Sequence, residues 1–503
     1  MLCLAVGSVI PMGQTMFYNP PAMKNIQLIA VLALVLFTAC SQAQDQEITA
    51  KDIDLMFTPI DGKVKIMNLD PGHFHAALVQ KTMYEQVDRV VHVFAPEGPE
   101  VQSYLNRISD YNSRPDNPTS WKEKVYTGSD FLEKMLSKKP GNVMVVSGNN
   151  AKKTEYILKS IQEGIHVLAD KPMVISPDNY PMLEEAFATA EEKGVLLYDI
   201  MTERHEITTM LQKELSLIPE IFGELQTGSV AVPAITKESV HHFSKIVSGK
   251  PLIRPPWFFD VAQQGEGIVD VTTHLVDLVQ WEAFPEVVLE KSDVKIFSAR
   301  RWTTDLSPAM FEKVTGLDSY PEYLEKDVWD KQLKIHCNGE INYTLKGVHA
   351  RVSVIWNFQA PEGTGDTHYS VMRGTRCDLV IRQGEAEGYK PKLYIETTEQ
   401  ESPQEFLKAL ESGIEKLAES YPGIRLKNVA DFTWILEIPD SYKVGHEAHF
   451  GQVTEKFLGY LETGTLPPWE IPNMIVKYYT TTEGMKRALL PIKEGFAAPK
   501  RGL

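Results

Sequence analysis

Cysteine is scarce in this chain. Of four in 503 residues, Cys3 and Cys40 fall near the N-terminus, which leaves only Cys337 and Cys377 for the remainder. Two distant thiols cannot form a zinc cluster of the Cys-x-x-Cys type, and their spacing sets no bridge. A zinc-protease motif is also missing, because His446-Glu-Ala-His449 sets its histidines three apart rather than four. A long basic tract is lacking too. The formal charge of −16 comes from 51 basic and 67 acidic residues, which argues against nucleic acid as a partner and otherwise bears on solubility. Internal repeats and low-complexity tracts are not evident.

The apolar run from Ile26 to Phe37 stands alone, interrupted only by Gln27. At about a dozen residues it is too short for a mature membrane span and suits a secretory core segment. Met23-Lys-Asn precedes it, so Met23 is the expected start. Phe37-Thr-Ala-Cys40-Ser follows it and resembles a bacterial lipobox. That resemblance implies cleavage before Cys40 and lipidation of its sulfur. The alternative is an ordinary signal peptide cut nearby. The expectation is an exported, membrane-anchored lipoprotein on the periplasmic side or the cell surface. Residues 1–40 are then the leader and 41–62 a tether.

With 43% hydrophobic and 23% charged residues, the rest has the makeup of a globular protein, and its length predicts two domains. From Val64 short apolar runs alternate with helical patterns. Strands are expected at Val64–Leu69, Arg89–Phe94, Val125–Thr127, Val143–Val146, His166–Ala169 and Val195–Asp199. Helices are expected at Gly72–Tyr84, Glu100–Ser109, Asp130–Leu136, Lys152–Glu163 and Tyr180–Lys193. This alternation predicts an α/β domain with a doubly wound parallel sheet over 63–204. Beyond it, a helix near Glu206–Leu217 and strand-like stretches from Gln332 to Thr397 predict an α+β domain over 205–503. Its sheet should be open and largely antiparallel, followed by helices near Pro403–Ser420 and His449–Leu461.

Two sites of unusual chemistry stand out. The segment Gly265-Glu-Gly-Ile-Val-Asp270-Val-Thr-Thr-His274-Leu-Val-Asp277 sets ionisable groups into an apolar helical pattern. Asp270, His274 and Asp277 are then neighbours on one helix face, and ionisable groups in a buried segment need partners or a task. The second site is Asp170-Lys171-Pro172, directly after an apolar strand. A doubly wound sheet binds ligands at the carboxyl ends of its strands, where Asn149, Asn150, Asp170, Lys171 and Arg204 all lie. The first such turn, Asn68-Leu-Asp-Pro-Gly72-His-Phe-His-Ala76, lacks the full G-x-G-x-x-G/A fingerprint. Asp70-Pro71 there reads equally as a helix cap followed by proline at the first helical position.

Taken in order, Gly72-His73-Phe74-His75-Ala76, Asp170-Lys171-Pro172 and Gly265 through Asp277 resemble three motifs of the Gfo/Idh/MocA family (glucose–fructose oxidoreductase, inositol dehydrogenase). These are a turn ending G-H-x-H-A, a strand ending E-K-P, and a G-G-x-h-x-D-x-x-x-H-x-x-D segment. The resemblance covers roughly residues 63–290, and the C-terminal sheet only in outline. The long second domain, with Tyr198–Arg204 and Val240–Phe243, is similar to a lipoprotein branch of that family. The resemblance implies a Rossmann-like first domain, NAD or NADP, and hydride exchange with a sugar or polyol carbon. Lys171, Asp270 and His274 would be catalytic, with His274 as base, Lys171 as electrostatic partner and Asp270 orienting. Gly72, His73, Phe74, His75, Glu97, Asn149, Asn150, Asp170 and Lys171 would hold the cofactor.

The chain departs from the family pattern at several points. Asn68 replaces the first fingerprint glycine, Asp70-Pro71 is inserted, and Lys153 stands where a histidine is usual. Glu97 is the nearest acid for the ribose hydroxyls and favours NAD over NADP. Substrate contacts are expected from Arg204, His242, Trp257, Asp277 and His449, though His241-His242 and Trp257-Phe258-Phe259 read equally as core. Glu362–Asp366 reads as a hairpin turn, with His368 and Tyr369 near it. No metal is expected, and a homo-oligomer is compatible with the sequence. The leader lacks a twin-arginine pair, so an exported enzyme would have to capture its cofactor outside and hold it tightly. Two alternatives stay open: an NAD-recycling glycosidase of the same fold, and a non-catalytic glycan-binding lipoprotein.

Overall fold

The computed structural model describes residues 56–247, 250–397 and 403–491. Cys40, the leader 1–40 and most of the tether 41–62 lie outside the described residues. The first sheet has six parallel strands in the order β3-β2-β1-β4-β5-β6. They are β1 (Ile66–Leu69), β2 (Val90–Ala95), β3 (Lys122–Thr127), β4 (Val143–Val146), β5 (His166–Asp170) and β6 (Leu197–Ile200). Met67, Val91, Val93, Val145 and Leu168 are buried because helices cover both faces, which is why these strands read as unbroken apolar runs. Strand order reverses between β1 and β4, and Leu69 pairs with both Phe94 and Val146. Three strand ends therefore open onto one crevice.

The helix expected over Gly72–Tyr84 contracts to His75–Leu78. Tertiary bonds override its propensity. The Trp121 indole N–H donates to the Gln80 carbonyl at 2.6 Å, and the Tyr104 hydroxyl bonds the Gln80 side chain. Gln80 is thus held in a turn.

The second sheet has ten strands. Its main path runs Val294–Leu306, Gln332–Leu345, Val348–Gln359, Ile235–Ser244, Thr367–Arg373, Cys377–Arg382, Lys392–Thr397, Thr433–Glu437 and Arg425–Ala430. All of these neighbours pair antiparallel except Val348–Gln359 with Ile235–Ser244. Cys337 and Cys377 are buried free thiols, and burial pushes the Cys337 thiol up to about 12. Two helices, His446–Thr463 and Glu470–Leu489, return to the first sheet, where Phe450, Phe457, Leu461, Met474 and Tyr478 join its core. The helix of the Asp–His segment begins only at Thr272, so Asp270 sits on the turn before it. That turn packs on strand Gln332–Leu345 through two glycines. A Cβ on Gly267 would stand 1.8 Å from the Cys337 carbonyl oxygen, and one on Gly339 would stand 2.6 Å from the Ile268 Cβ.

Candidate active site

At the end of β5, Lys171 Nζ donates to Asp270 Oδ1 at 2.7 Å, which joins the first sheet to the turn of the second region. Gln264 Nε2 donates to the other Asp270 oxygen at 3.0 Å. Burial disfavours the Lys171 charge, but Asp270 and Asp170 outweigh it and raise its pKa. Lys171 is therefore a fixed cation. His274 lies one helical turn beyond Asp270, and its Nδ1 is buried with no hydrogen-bond partner among the described residues. Burial, then the Lys171 charge, then His446, hold this imidazole well below its ordinary pKa. It is neutral, so one of its two ring nitrogens carries a lone pair.

A hydrogen-bonded layer lies behind Lys171. Asp170 Oδ2 accepts from Ser147 Oγ at 2.7 Å and from His75 Nδ1 at 3.0 Å, with His73 Nδ1 at 3.8 Å. Burial would raise the Asp170 carboxyl, yet His75 and Lys153 beside it hold it well below the carboxylate range. Lys153 Nζ donates to the Asp170 carbonyl at 2.9 Å, and burial lowers this lysine to about 8. Burial also lowers both His73 and His75. Among the described residues, His73, His75 and Asp170 are the one group whose ligand-type atoms lie within 4.8 Å of each other. Asp170 already accepts two bonds there, so the cluster is satisfied without an ion. Asp170 thus orients His75 rather than facing a cofactor directly. Phe74 meets His73 at a tilt and His75 edge-on, and lies under Arg107, 5.7 Å from its ring centre.

Arg204 and Asp277 are a correction. They were expected at the substrate, but they bind each other in a buried network. Arg204 Nε and Nη2 donate to Asp277 at 2.7 Å each, and Arg204 Nη1 donates to Glu470 at 3.0 Å. Lys477 Nζ bridges Asp277 at 2.9 Å and Asp199 at 2.7 Å. All three guanidinium nitrogens of Arg204 are thus engaged by carboxylates. His449 is 5% exposed on the inner side of its helix, and burial lowers its pKa to about 4. It is His446, one turn earlier, that reaches the site, with its Nε2 at 3.3 Å from His75 Nε2. His242 is buried, and its backbone N–H donates to Asp366 Oδ1 at 3.1 Å. His241 Nδ1 lies 3.0 Å from Asp366 Oδ2, with Lys245 on the same carboxylate. The turn expected at Glu362–Asp366 therefore supplies an anchor for both histidines.

A cleft of about 470 Å³ opens at the ends of β1, β2 and β4, walled in part by Asp70, Gly72, Glu100, Asn149, Lys152 and Trp257. Its size falls in the range of small-molecule sites. Gly72 forms its floor, since a Cβ there would face Trp257 Cζ2 at 3.5 Å and the Asn149 N at 3.8 Å. Burial, with Glu100 nearby, raises the Asp70 carboxyl to about 6. Three expectations shift here. Trp257 walls this cleft rather than a sugar site. Besides Asp70, the wall carries the carboxylate of Glu100, in the first turn of helix Pro99–Ser113, and not that of Glu97. Glu97 is exposed and near Thr127 Oγ1, at 3.4 Å. Asn150 is turned away, with its Nδ2 donating to the Gln264 carbonyl at 2.7 Å, while Asn149 Nδ2 donates to Gln263 Oε1 at 2.7 Å.

Sequence reasoning missed Glu203, Lys245, Asp366 and Glu100 as site residues, and it weighed His446 together with His449 as pocket lining or a metal ligand. Of these, Glu100 left a trace. Glu100 follows Gly98-Pro99, a helix start that turns its first-turn acid toward the strand ends. His446 and His449 share one helix face at spacing three.

Residues 70–199 match the family described as "Oxidoreductase family, NAD-binding Rossmann fold". Residues 211–489 match the one described as "Putative oxidoreductase C terminal domain". A solved structure of a "putative oxidoreductase" from Parabacteroides merdae ATCC 43184 is 57% identical, with a TM-score of 0.84, over 86% of this chain and 99% of that one. A 3-ketoreductase from Actinomadura kijaniata, in complex with NADP and TDP-benzene, is 12% identical with a TM-score of 0.51, over 85% of this chain and 98% of that one. Levoglucosan dehydrogenase, in complex with NADH and levoglucosan, is 11% identical with a TM-score of 0.50, over 84% of this chain and 98% of that one. No curated protein matches the chain. With both halves matched in order on a six-stranded parallel sheet, this chain belongs to the Gfo/Idh/MocA family of oxidoreductases and carries its NAD-binding Rossmann fold.

Proposed function

We propose that this protein exchanges a hydride between NAD and a hydroxyl-bearing carbon of a sugar or glycoside. The observation that carries the reading is the Lys171–Asp270 pair at 2.7 Å beside a neutral His274. Oxidising a carbinol requires its hydroxyl proton to leave as the carbon loses hydride. The neutral imidazole of His274 would accept this proton. Lys171 stabilises the charge that develops on the oxygen, and Asp270 holds the ammonium in place. The residues present fit a dinucleotide. Gly72 keeps the cleft floor bare, and Asp70, Glu100, Asn149, Lys152 and Trp257 would wall the bound molecule. Bound NAD supplies the hydride acceptor. Glu100, a carboxylate on the cleft wall, would repel a 2′-phosphate and accept from a ribose hydroxyl, which favours NAD over NADP. The sugar class draws support from the ligand of the levoglucosan dehydrogenase of like fold.

The reading includes export and a lipid anchor on Cys40, and with them tight retention of NAD. Denaturing the purified mature protein should release NAD, and a panel of methyl glycosides should change the absorbance of reduced nicotinamide. Neither NAD released nor NAD bound on addition would end the enzyme reading. Lys171→Ala separates an enzyme from a glycan binder, because a binder keeps its affinity and an enzyme loses turnover.

A further inference from the structure

Arg254 is a buried cation without a role in the reading above. It stands at the base of a hairpin, where the Leu252 N–H donates to the Lys245 carbonyl at 3.0 Å and Ile246 pairs with Pro251. Its guanidinium lies 4.4 Å from the Phe258 ring centre and 5.3 Å from that of Trp356, and the residue is 6% exposed. Nε donates to the Phe243 carbonyl and Nη2 to the His242 carbonyl, at 3.1 Å each. Those bonds leave the outer edge of the fork open, made of Nη1 and the second N–H of Nη2. Among the described residues no carboxylate is ion-paired with Arg254.

The nearby acids are already engaged. Asp366 Oδ1 accepts from the His242 N–H at 3.1 Å, while its Oδ2 binds Lys245 and lies 3.0 Å from His241 Nδ1. Asp270 holds Lys171 at 2.7 Å and Gln264 at 3.0 Å. Both carboxylates reach Arg254 only through space, and burial outweighs them, lowering its pKa to about 10. Arg254 is therefore still charged at neutral pH. Lys171 is matched by Asp270 and Lys245 by Asp366, which leaves the guanidinium in excess. A buried charge is costly unless something pairs with it, so this group marks a place where a ligand supplies the anion. That place is the substrate side of the crevice. The rings around Arg254 share one cluster with Trp257, which walls the cofactor cleft, and with Val271, next to Asp270. The Arg254 charge acts on His73, and the Lys245 charge acts on His75 and His446.

We propose that Arg254, with Lys245 beside it, binds the carboxylate of an acidic sugar, so that the substrate is a uronic acid glycoside rather than a neutral one. Oxidation of that sugar rests on the function proposed above; the anion site does not. A carboxylate suits the open edge of the guanidinium because it is planar and accepts two parallel N–H bonds. It also carries the single negative charge that the site lacks. The rings of Phe258 and Trp356 keep water from one face of the fork, which strengthens the pairing.

The test is equilibrium dialysis of the full mature protein against matched methyl glycosides, glucuronide with glucoside and galacturonide with galactoside, and against glucose 6-sulfate. In at least one pair the uronide should bind about tenfold more tightly or better, as for a hydrogen bond to a charged group. Arg254→Met should bring that ratio close to one. Arg254→Lys keeps the charge without the fork, so it should retain part of the preference and serves where Arg254→Met does not fold. A ratio near one in every pair, or a preference that survives Arg254→Met, overturns the proposal. Tighter binding of the sulfate than of either uronide overturns the carboxylate as the ligand group. Turnover is read separately, from the absorbance of reduced nicotinamide. A uronide that is preferred but never oxidised overturns the hydride reading and leaves the anion site standing. A neutral glycoside that is oxidised and binds as well as its uronide does the reverse.

Discussion

Lys171 and Asp270 are 99 residues apart in the chain and meet at 2.7 Å across the seam between the parallel sheet and the second region. The pair is mostly enclosed, with side chains 13% and 7% exposed. Asp270→Asn should therefore leave Lys171 uncompensated against burial, which lowers its pKa and weakens its charge. Turnover should fall by ~10²–10³, the range for loss of one oriented electrostatic group. Steady-state kcat across pH checks this. An unchanged kcat would place the pair outside the chemistry.

The Arg204–Asp277–Lys477 network predicts the opposite kind of effect. Asp277→Asn leaves two buried cations short of a partner and should cost about 3–5 kcal/mol of stability. Urea denaturation measures it. In the protein that still folds, KM for the sugar should stay near the parental value, because Arg204 and Asp277 face each other rather than a ligand.

His166 gives a pH dependence with a definite sign. It is buried, its Nδ1 accepts from the Leu196 N–H at 3.0 Å, and burial lowers its pKa from 6.5 to about 4. Between those values the unfolded chain binds the proton and the fold does not. Its contribution is complete above the unfolded value and is lost as pH falls toward the folded one. At pH 5 the loss is about 2 kcal/mol. His166→Asn keeps an acceptor and cannot titrate. The stability difference between parent and variant should therefore move by that amount between pH 7.5 and pH 5.

Glu100 predicts cofactor choice. Glu100→Ala should weaken NAD binding by ~10-fold or more, as for a hydrogen bond to a charged group. Glu100→Arg should favour NADP. Calorimetric titration with each dinucleotide reads both, and equal affinities throughout would remove Glu100 from the ribose contact.

The parallel sheet was legible because fully covered strands leave short apolar runs, and Val143–Val146 and Tyr180–Lys193 fall where the pattern places them. Strand Ile235–Ser244 was not, because it carries Lys237, Glu238, His241 and His242. Its buried Lys237 is tolerated through Glu282, at 2.5 Å and 45 residues away, and through Gln212 Oε1 at 3.1 Å. Helix Glu470–Leu489 was hidden for a like reason, since Glu470 and Lys477 are core residues matched to Arg204 and Asp199. At the site, the motif residues could be named from the chain, but their partners could not. Nothing local to Glu203 or Asp366 shows that the fold sets them near Lys171, or that Arg204 is already engaged.

The closing helices bear on how the molecule is made. Phe450, Phe457 and Tyr478 complete a core whose other members begin with Phe57. The amino-terminal half therefore cannot mature while the ribosome is still reading the message. A chain truncated before His446 should emerge as a soft, protease-sensitive intermediate, and the fold tightens when its last helices arrive.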